Sequence, residues 1–149
     1  MAEYLETRYD KFIFKVKTGY FYSKEGFWAK PAEKTALVGV GDFLQKVSGD
    51  VAFLETAEVG TVVKQGQEIG IIETIKATFE ILSPVSGTLI EVNPELESSP
   101  NLINESCYDA GWIYRIELKN FETEKSGLLQ AEAYFDLMKE KIVEEMKKK

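Results

Sequence analysis

The spacing of apolar residues changes period once along this chain. Through most of its length they come in short runs or alternate with polar residues, and only beyond about residue 128 do they recur every three or four positions. The aromatic and β-branched stretch Phe12–Lys17, followed by Tyr20, Phe21 and Tyr22, predicts strands joined by a Thr18-Gly19 turn. Thr35–Val40 predicts another strand. Asp42 stands where it could cap a short helix over residues 43–47, closed by Ser48-Gly49, after which Val51–Thr56 returns to a strand pattern. Residues 93–100 mix turn residues with charge and predict a surface connection. Residues 112–118 alternate as a half-buried strand entered through Gly111. Toward the carboxyl end, Phe135, Met138, Ile142 and Met146 form the stripe of an amphipathic helix, with Ser126-Gly127 at its start. Such a stripe is expected to pack on the core. Lys147-Lys148-Lys149 suit the negative end of its dipole.

Between these elements lies Glu73-Thr74-Ile75-Lys76-Ala77, flanked by residues 59–72 and 79–92. Each flank carries a Gly-Thr step, Gly60-Thr61 and Gly87-Thr88, followed by alternating apolar residues. That repetition predicts a small quasi-symmetric β structure folded around Lys76. Most lysines are solvated surface charges, and a hairpin with a charged tip would carry one too. Yet the Asn-Gly or Asp-Gly pair usual in two-residue hairpin loops is missing here, so something besides turn propensity bears on these residues.

The arrangement resembles the lipoyl-domain family, in which the central lysine carries lipoic acid in amide linkage. Biotin carriers share the architecture, but their lysine is flanked by methionines, whereas Ile75 and Ala77 stand here. The likeness extends through residues 49–55 and 58–66, Ser83-Pro84-Val85-Ser86-Gly87, Val92-Asn93, Leu102-Ile103-Asn104-Glu105, Tyr108 and Gly111-Trp112, and over this longer span the chain is similar to the glycine cleavage H-protein family. The resemblance implies a mainly β fold, a flattened β barrel or sandwich of the lipoyl-domain type, with a short internal helix and a C-terminal amphipathic helix. It divides the chain into an N-terminal extension over 1–19, expected to add a strand, a lipoyl-type domain over 20–125 and a helix over 126–149. It further implies a carrier without catalytic activity, with lipoate covalently bound at Lys76 and with Glu73 and Thr74 defining the turn for the attaching enzyme. The partners it implies are a lipoate-protein ligase or lipoyl transferase, glycine decarboxylase, aminomethyltransferase and dihydrolipoyl dehydrogenase. The implied location is cytoplasmic, or the mitochondrial matrix for a mature eukaryotic form.

Two departures from the family pattern bear on the pathway. Where the family carries histidine and then an acidic residue before Trp28, this chain has Gly26 and Phe27, and Phe43 follows Asp42 in place of histidine or tyrosine. The family's acidic residue helps to hold a charged aminomethyl adduct, which phenylalanine cannot do. A more apolar lipoate cleft and a weaker hold on that adduct are therefore expected. An H-like carrier of sulfur intermediates serving a heterodisulfide-reductase-like complex, or a lipoyl relay, is the alternative. The N-terminal extension could also dock a different partner.

Composition narrows the remaining classes. A length of 149 residues suits one domain with a core, and 44% apolar with 29% charged residues is ordinary for a globular protein. The formal charge of −7, with no basic cluster except the terminal lysines, argues against nucleic acid and for partners with basic patches. No run is long enough to span a bilayer, and residues 1–8 lack the pattern of a secretory signal, so an intracellular protein without a membrane role is expected. Cys107 is the sole cysteine and histidine is absent. That excludes an internal disulfide, Cys/His zinc sites and histidine-based triads. Cys107 is expected to be an inert, partly buried residue dispensable for carrier function. An enzyme in its own right finds no nucleophile with a base, phosphate loop or metal cluster to support it. An unmodified structural module remains the third class.

Overall fold

A computed structural model describes residues 3–147, so the first two residues of the N-terminal extension and the terminal Lys148 and Lys149 lie outside the described residues. The strands are β1 Tyr4–Tyr9, β2 Phe12–Lys17, β3 Phe21–Tyr22, β4 Phe27–Ala32, β5 Thr35–Val40, β6 Val51–Thr56, β7 Val62–Val63, β8 Glu68–Thr74, β9 Thr78–Leu82, β10 Gly87–Val92, β11 Tyr114–Leu118 and β12 Leu129–Gln130. The helices are α1 Asp42–Ser48, α2 Leu102–Glu105, α3 Phe121–Glu124 and α4 Ala131–Lys147. Seven strands form one sheet in the order β12-β3-β4-β5-β11-β10-β7, three form a second in the order β6-β8-β9, and β1 pairs with β2 alone. These are flattened sheets rather than a closed barrel. None of the described helices is long and apolar enough to cross a membrane.

The repeated Gly-Thr steps end side by side. In β7 and β10, Val62 pairs with Thr88 and Val63 with Gly87, while β8 and β9 pair with each other one layer away. The two flanks of the lysine turn are thus coupled at both ends, and the turn sits at the tip of the β8–β9 hairpin.

Side chains alternate across a strand, and β4 uses both faces. Phe27 and Ala29 face a core shared with Val38 and Val40 of β5, Val51 of β6, Ile72 of β8, Ile81 of β9 and Ile116 of β11. Trp28 points the other way, into an aromatic layer with Phe14 and Val16 of β2, Tyr20, Tyr22, Phe43, Tyr108 and the α4 residues Tyr134, Met138 and Ile142. Its indole N–H lies 3.1 Å from the Val40 carbonyl and 3.0 Å from that of Cys107. Gly39, paired with Trp28, has no side chain because a Cβ there would fall 2.5 Å from the indole ring. Tyr22 and Tyr134 stack with centroids 4.5 Å apart, fixing α4 over β3.

Four expectations need correction. Asp42 does not cap α1: Gly41 is the cap residue, and Asp42 is the first helical residue with its carboxylate turned inward. The last helix begins at Ala131, not near Ser126, because residues 125–127 form a 3-10 turn and Leu129–Gln130 pair with β3 first. Its buried stripe is Ala131, Tyr134, Met138 and Ile142, so Tyr134 holds the place expected of Phe135. The strand expected from residue 112 starts at Tyr114.

The described part of the extension is a hairpin of two strands that closes the aromatic layer. Phe14 is 1% exposed within it. Phe14→Ala should lower stability by about 3 kcal/mol or more, measured by urea unfolding, because a buried phenylalanine truncated to alanine loses its transfer energy and leaves a cavity. A loss below about 1 kcal/mol would show that the hairpin only rests on the surface.

Candidate functional site

The lysine turn is organised by one hydroxyl. Thr74 ends β8, and its Oγ1 accepts from the amides of Ala77 at 2.9 Å and Lys76 at 3.3 Å while donating to the Ser48 carbonyl at 2.6 Å. The Thr74 amide donates to the Ala77 carbonyl at 2.8 Å, and the Ile75 amide donates to the Asp50 carbonyl at 3.1 Å. A threonine hydroxyl has one proton and two lone pairs, so this set uses all of them. The Asn-Gly chemistry of a short hairpin is unnecessary because side chain and neighbouring backbone define the loop instead.

Lys76 is exposed at this tip, beside Ile75, whose side chain is also bare at 75% exposure. The lysine stem runs across Gly49. An added Cβ at Gly49 would stand 3.3 Å from Cε, 3.4 Å from Cγ and 3.6 Å from Cδ of Lys76. Gly49 also holds a φ of +92°, which favours glycine. Glu73 is exposed in β8, paired with Phe53 on one side and Thr78 on the other. Thus Glu73, Thr74 and Lys76 share one hairpin end, with Thr74 setting its shape.

Beside β9 runs a groove of about 500 Å3 lined by Glu25, Phe27, Leu44, Ile71, Thr78, Phe79, Glu80 and Leu82. Thr78, two residues beyond the lysine, begins it. The floor is apolar, as the phenylalanine at position 27 led one to expect, but Glu25 and Glu80 add carboxylates that this expectation omitted. A side-chain hydrogen bond shared with Glu80, and then the like charge, push the Glu68 carboxyl up from its ordinary pKa. Phe43 does not contribute: it belongs to the aromatic layer, with its ring 5.9 Å from that of Phe14. A further cavity of about 400 Å3 lies between β6 and the 93–100 connection, lined among others by Phe53, Leu54, Pro94 and Pro100.

Gly26 and Phe27 have structural reasons to be where they are. Gly26 has a φ of +105° and closes a tight turn through its amide to the Ser23 carbonyl. A histidine there would be strained and would press on the Tyr134 hydroxyl, 3.3 Å from the added Cβ. Phe27 is 2% exposed and belongs to the inter-sheet core. A carboxylate at this site would be buried at the groove floor, whereas Glu25 carries one in the same groove from an exposed position. Local spacing does not mark Glu25, because only the folding of residues 23–27 brings it to the groove that β9 also lines.

Cys107 lies elsewhere. It is 6% exposed in the aromatic layer, and burial, followed by the charge of Asp42, pushes its thiol well above the ordinary cysteine range. Its carbonyl receives the Trp28 indole N–H. Among the described residues no group of three or more His, Cys, Asp or Glu side chains is arranged to hold a metal ion.

Comparison with known proteins gives a consistent result. The glycine cleavage H-protein family profile matches residues 20–141. A protein of Pyrococcus furiosus named "Probable glycine cleavage system H protein" is 46% identical over 127 residues, covering 85% of this chain and 94% of its own. The glycine cleavage system H protein of Thermus thermophilus is 39% identical over 118 residues, covering 79% and 91%. The crystal structure of a glycine cleavage system H protein from Mycobacterium marinum superposes with a TM-score of 0.73 at 27% identity, over 80% of this chain and 95% of that one.

Two measurements test this account of the site. Phe27→Glu should cost at least about 3 kcal/mol in chemical denaturation, through lost apolar packing and a carboxyl group forced into the core; stability like that of the wild type would mean that the position opens to solvent. The native Cys107 thiol should resist iodoacetamide at pH 8 and react only after unfolding, since alkylation needs the thiolate. Rapid labelling of the folded chain, followed by mass spectrometry, would contradict its burial.

Proposed function

This chain belongs to the glycine cleavage H-protein family, and from that premise we propose that Lys76 is the residue to which lipoate is joined. The observation that carries this reading is an exposed primary amine on a turn locked by Thr74, next to a groove with an apolar floor and carboxylates from Glu25 and Glu80. The residues fit the group. The amine is open to an enzyme, and Leu44, Ile71, Phe79 and Leu82, backed by the buried Phe27, offer an aliphatic chain a surface, while the two carboxylates suit a cationic cargo.

Attachment forms an amide. The Lys76 Nζ, having given a proton to solvent, attacks an acyl carbon activated as an adenylate or thioester; the C–N bond forms, the bond to the activating group breaks, and that group leaves as AMP or thiol while the nitrogen gives up its second proton. Glu73 and Thr74 define the turn that the attaching enzyme, a lipoate-protein ligase or lipoyl transferase, would recognise. Once bound, lipoate supplies a dithiolane able to take up and release a cargo and to cycle between dithiol and disulfide. The chain's part is to hold and present that group, and the protein is a non-catalytic carrier component.

In this reading the carrier serves glycine cleavage, meeting glycine decarboxylase, aminomethyltransferase and dihydrolipoyl dehydrogenase in turn in the cytoplasm, or in the mitochondrial matrix for a mature eukaryotic form. The names of the relatives favour this over sulfur transfer to a heterodisulfide-reductase-like complex or a lipoyl relay. The carboxylates beside the groove point the same way, because an ammonium-bearing cargo is matched by acids and an anionic one is not.

Incubation with a lipoate ligase, ATP and lipoate should add one acyl group to the wild type by intact mass and none to Lys76→Arg, whose guanidinium is a poor acyl acceptor. Modification persisting at another lysine in the variant would overturn the assignment.

A further inference from the structure

The lysine turn does not stand free, and what it leans on is held from across the fold. The Ser48 carbonyl receives the Thr74 hydroxyl, Gly49 lies beneath the Lys76 stem, the Asp50 carbonyl receives the Ile75 amide, and Val51 pairs with Thr74. These four residues form a strap from the last residue of α1 to the first of β6. A strap of this kind positions the lysine only if it is itself fixed.

The side chain of Asn104, from α2, supplies that fixation. Its Oδ1 accepts from the Val51 amide at 2.8 Å, and its Nδ2 donates to the Gly49 carbonyl at 3.1 Å and to Gln45 Oε1 at 3.0 Å. Gln45 in turn donates through Nε2 to Asp42 Oδ1 at 2.8 Å, and Asp42 Oδ2 accepts from the Lys15 amide at 2.8 Å. The direction of this relay is forced. A carboxylate can only accept, so Gln45 must present its NH2 group to Asp42 and its oxygen to Asn104; Asn104 must then present its oxygen to Val51. Gln45 and Asp42 are buried, so a broken link would leave polar groups unpaired in the interior.

We propose that Asn104 is a positioning residue for the modification of Lys76, holding the 48–51 strap on which the turn and the lysine stem rest. The inference rests on the reading of Lys76 as the attachment site. It also gives the N-terminal hairpin a connection to that site, because the Lys15 amide is the far end of the relay, in a segment outside the residues matched by the family profile.

The test uses Asn104→Ala and Asn104→Asp in the full chain. The aspartate keeps an acceptor for the Val51 amide but sets an acceptor against the Gly49 carbonyl and Gln45 Oε1, so it distinguishes the directed relay from mere occupancy of the space. Both variants should be lipoylated by a purified ligase with kcat lowered about tenfold and KM within about twofold, since a displaced amine reacts poorly while the docking surface is intact. In the unmodified proteins, hydrogen exchange at the amides of Val51, Ile75 and Ala77 should quicken about tenfold, while those of Val38 and Ile116 in the core keep their protection. If Asn104→Ala does not fold, Asn104→Ser, whose short hydroxyl cannot reach both the Val51 amide and the Gly49 carbonyl, breaks the same hold on the strap and should give the same pattern.

Attachment at the wild-type rate in these variants overturns the proposal. So does quickening of turn and core amides together, which a purely structural role would produce. Failure of the underlying reading has a separate signature: an adduct surviving in Lys76→Arg.

Discussion

Strand β4 has to satisfy two apolar layers with successive residues, and the rest of the molecule is arranged around that demand. Phe27 and Ala29 fill the space between the sheets while Trp28 fills the space under α4 and the N-terminal hairpin. An indole of this size needs a bare neighbour and partners for its N–H. Gly39 provides the first, and the carbonyls of Val40 and Cys107 the second. Because Cys107 comes from the segment after α2, that single nitrogen pins a long connection to the sheet, which sets Tyr108 against Asp42 at the start of α1 and Asn104 against Gln45 and Gly49 at its end. The second layer therefore locates the groups that steady the lysine turn.

The turn itself illustrates how a carrier can present a flexible group from an inflexible place. The Lys76 side chain, the proposed attachment point, is exposed, yet the backbone beneath it is held from both sides by Thr74 and by the 48–51 strap. Order in the support and freedom in the arm are complementary. Each hydrogen bond contributes only about 1 kcal/mol, and it is their convergence on the four residues Thr74 to Ala77 that keeps the loop in one shape.

Elements with a strong local pattern were readable from the chain, and those set by distant contacts were not. Thr35–Val40 and Val51–Thr56 are β-branched and apolar runs, the first stopped by Gly41 and the second preceded by Asp50, and the strands have those limits. The position of the lysine turn could be read because its flanks repeat, and the repetition is physical: Val62 and Thr88 are paired. By contrast, β12 is only two residues long and has no period to detect, so the helix after it was placed too early. Asp42 looked like a cap because its side chain favours that role, but the Lys15 amide and Gln45 draw its carboxylate into the interior. The groove position of Glu25 depends on the Ser23–Gly26 turn facing the groove that β9 also lines, and the hydrogen bonds of Asn104 on partners more than fifty residues away. Neither leaves a trace in local spacing.

The order in which strands are joined has a consequence for how the protein is made. The β8–β9 hairpin is a local pairing that can form as soon as its residues emerge, but the support beneath its tip needs α2, and the seven-stranded sheet is completed only when Leu129 and Gln130 reach β3. Pairings so distant in sequence form late, because loop closure must be met before they give anything back. An enzyme that recognises the steadied turn, and not merely its sequence, would in effect inspect the nearly finished chain, and the modification would mark those copies that had completed folding.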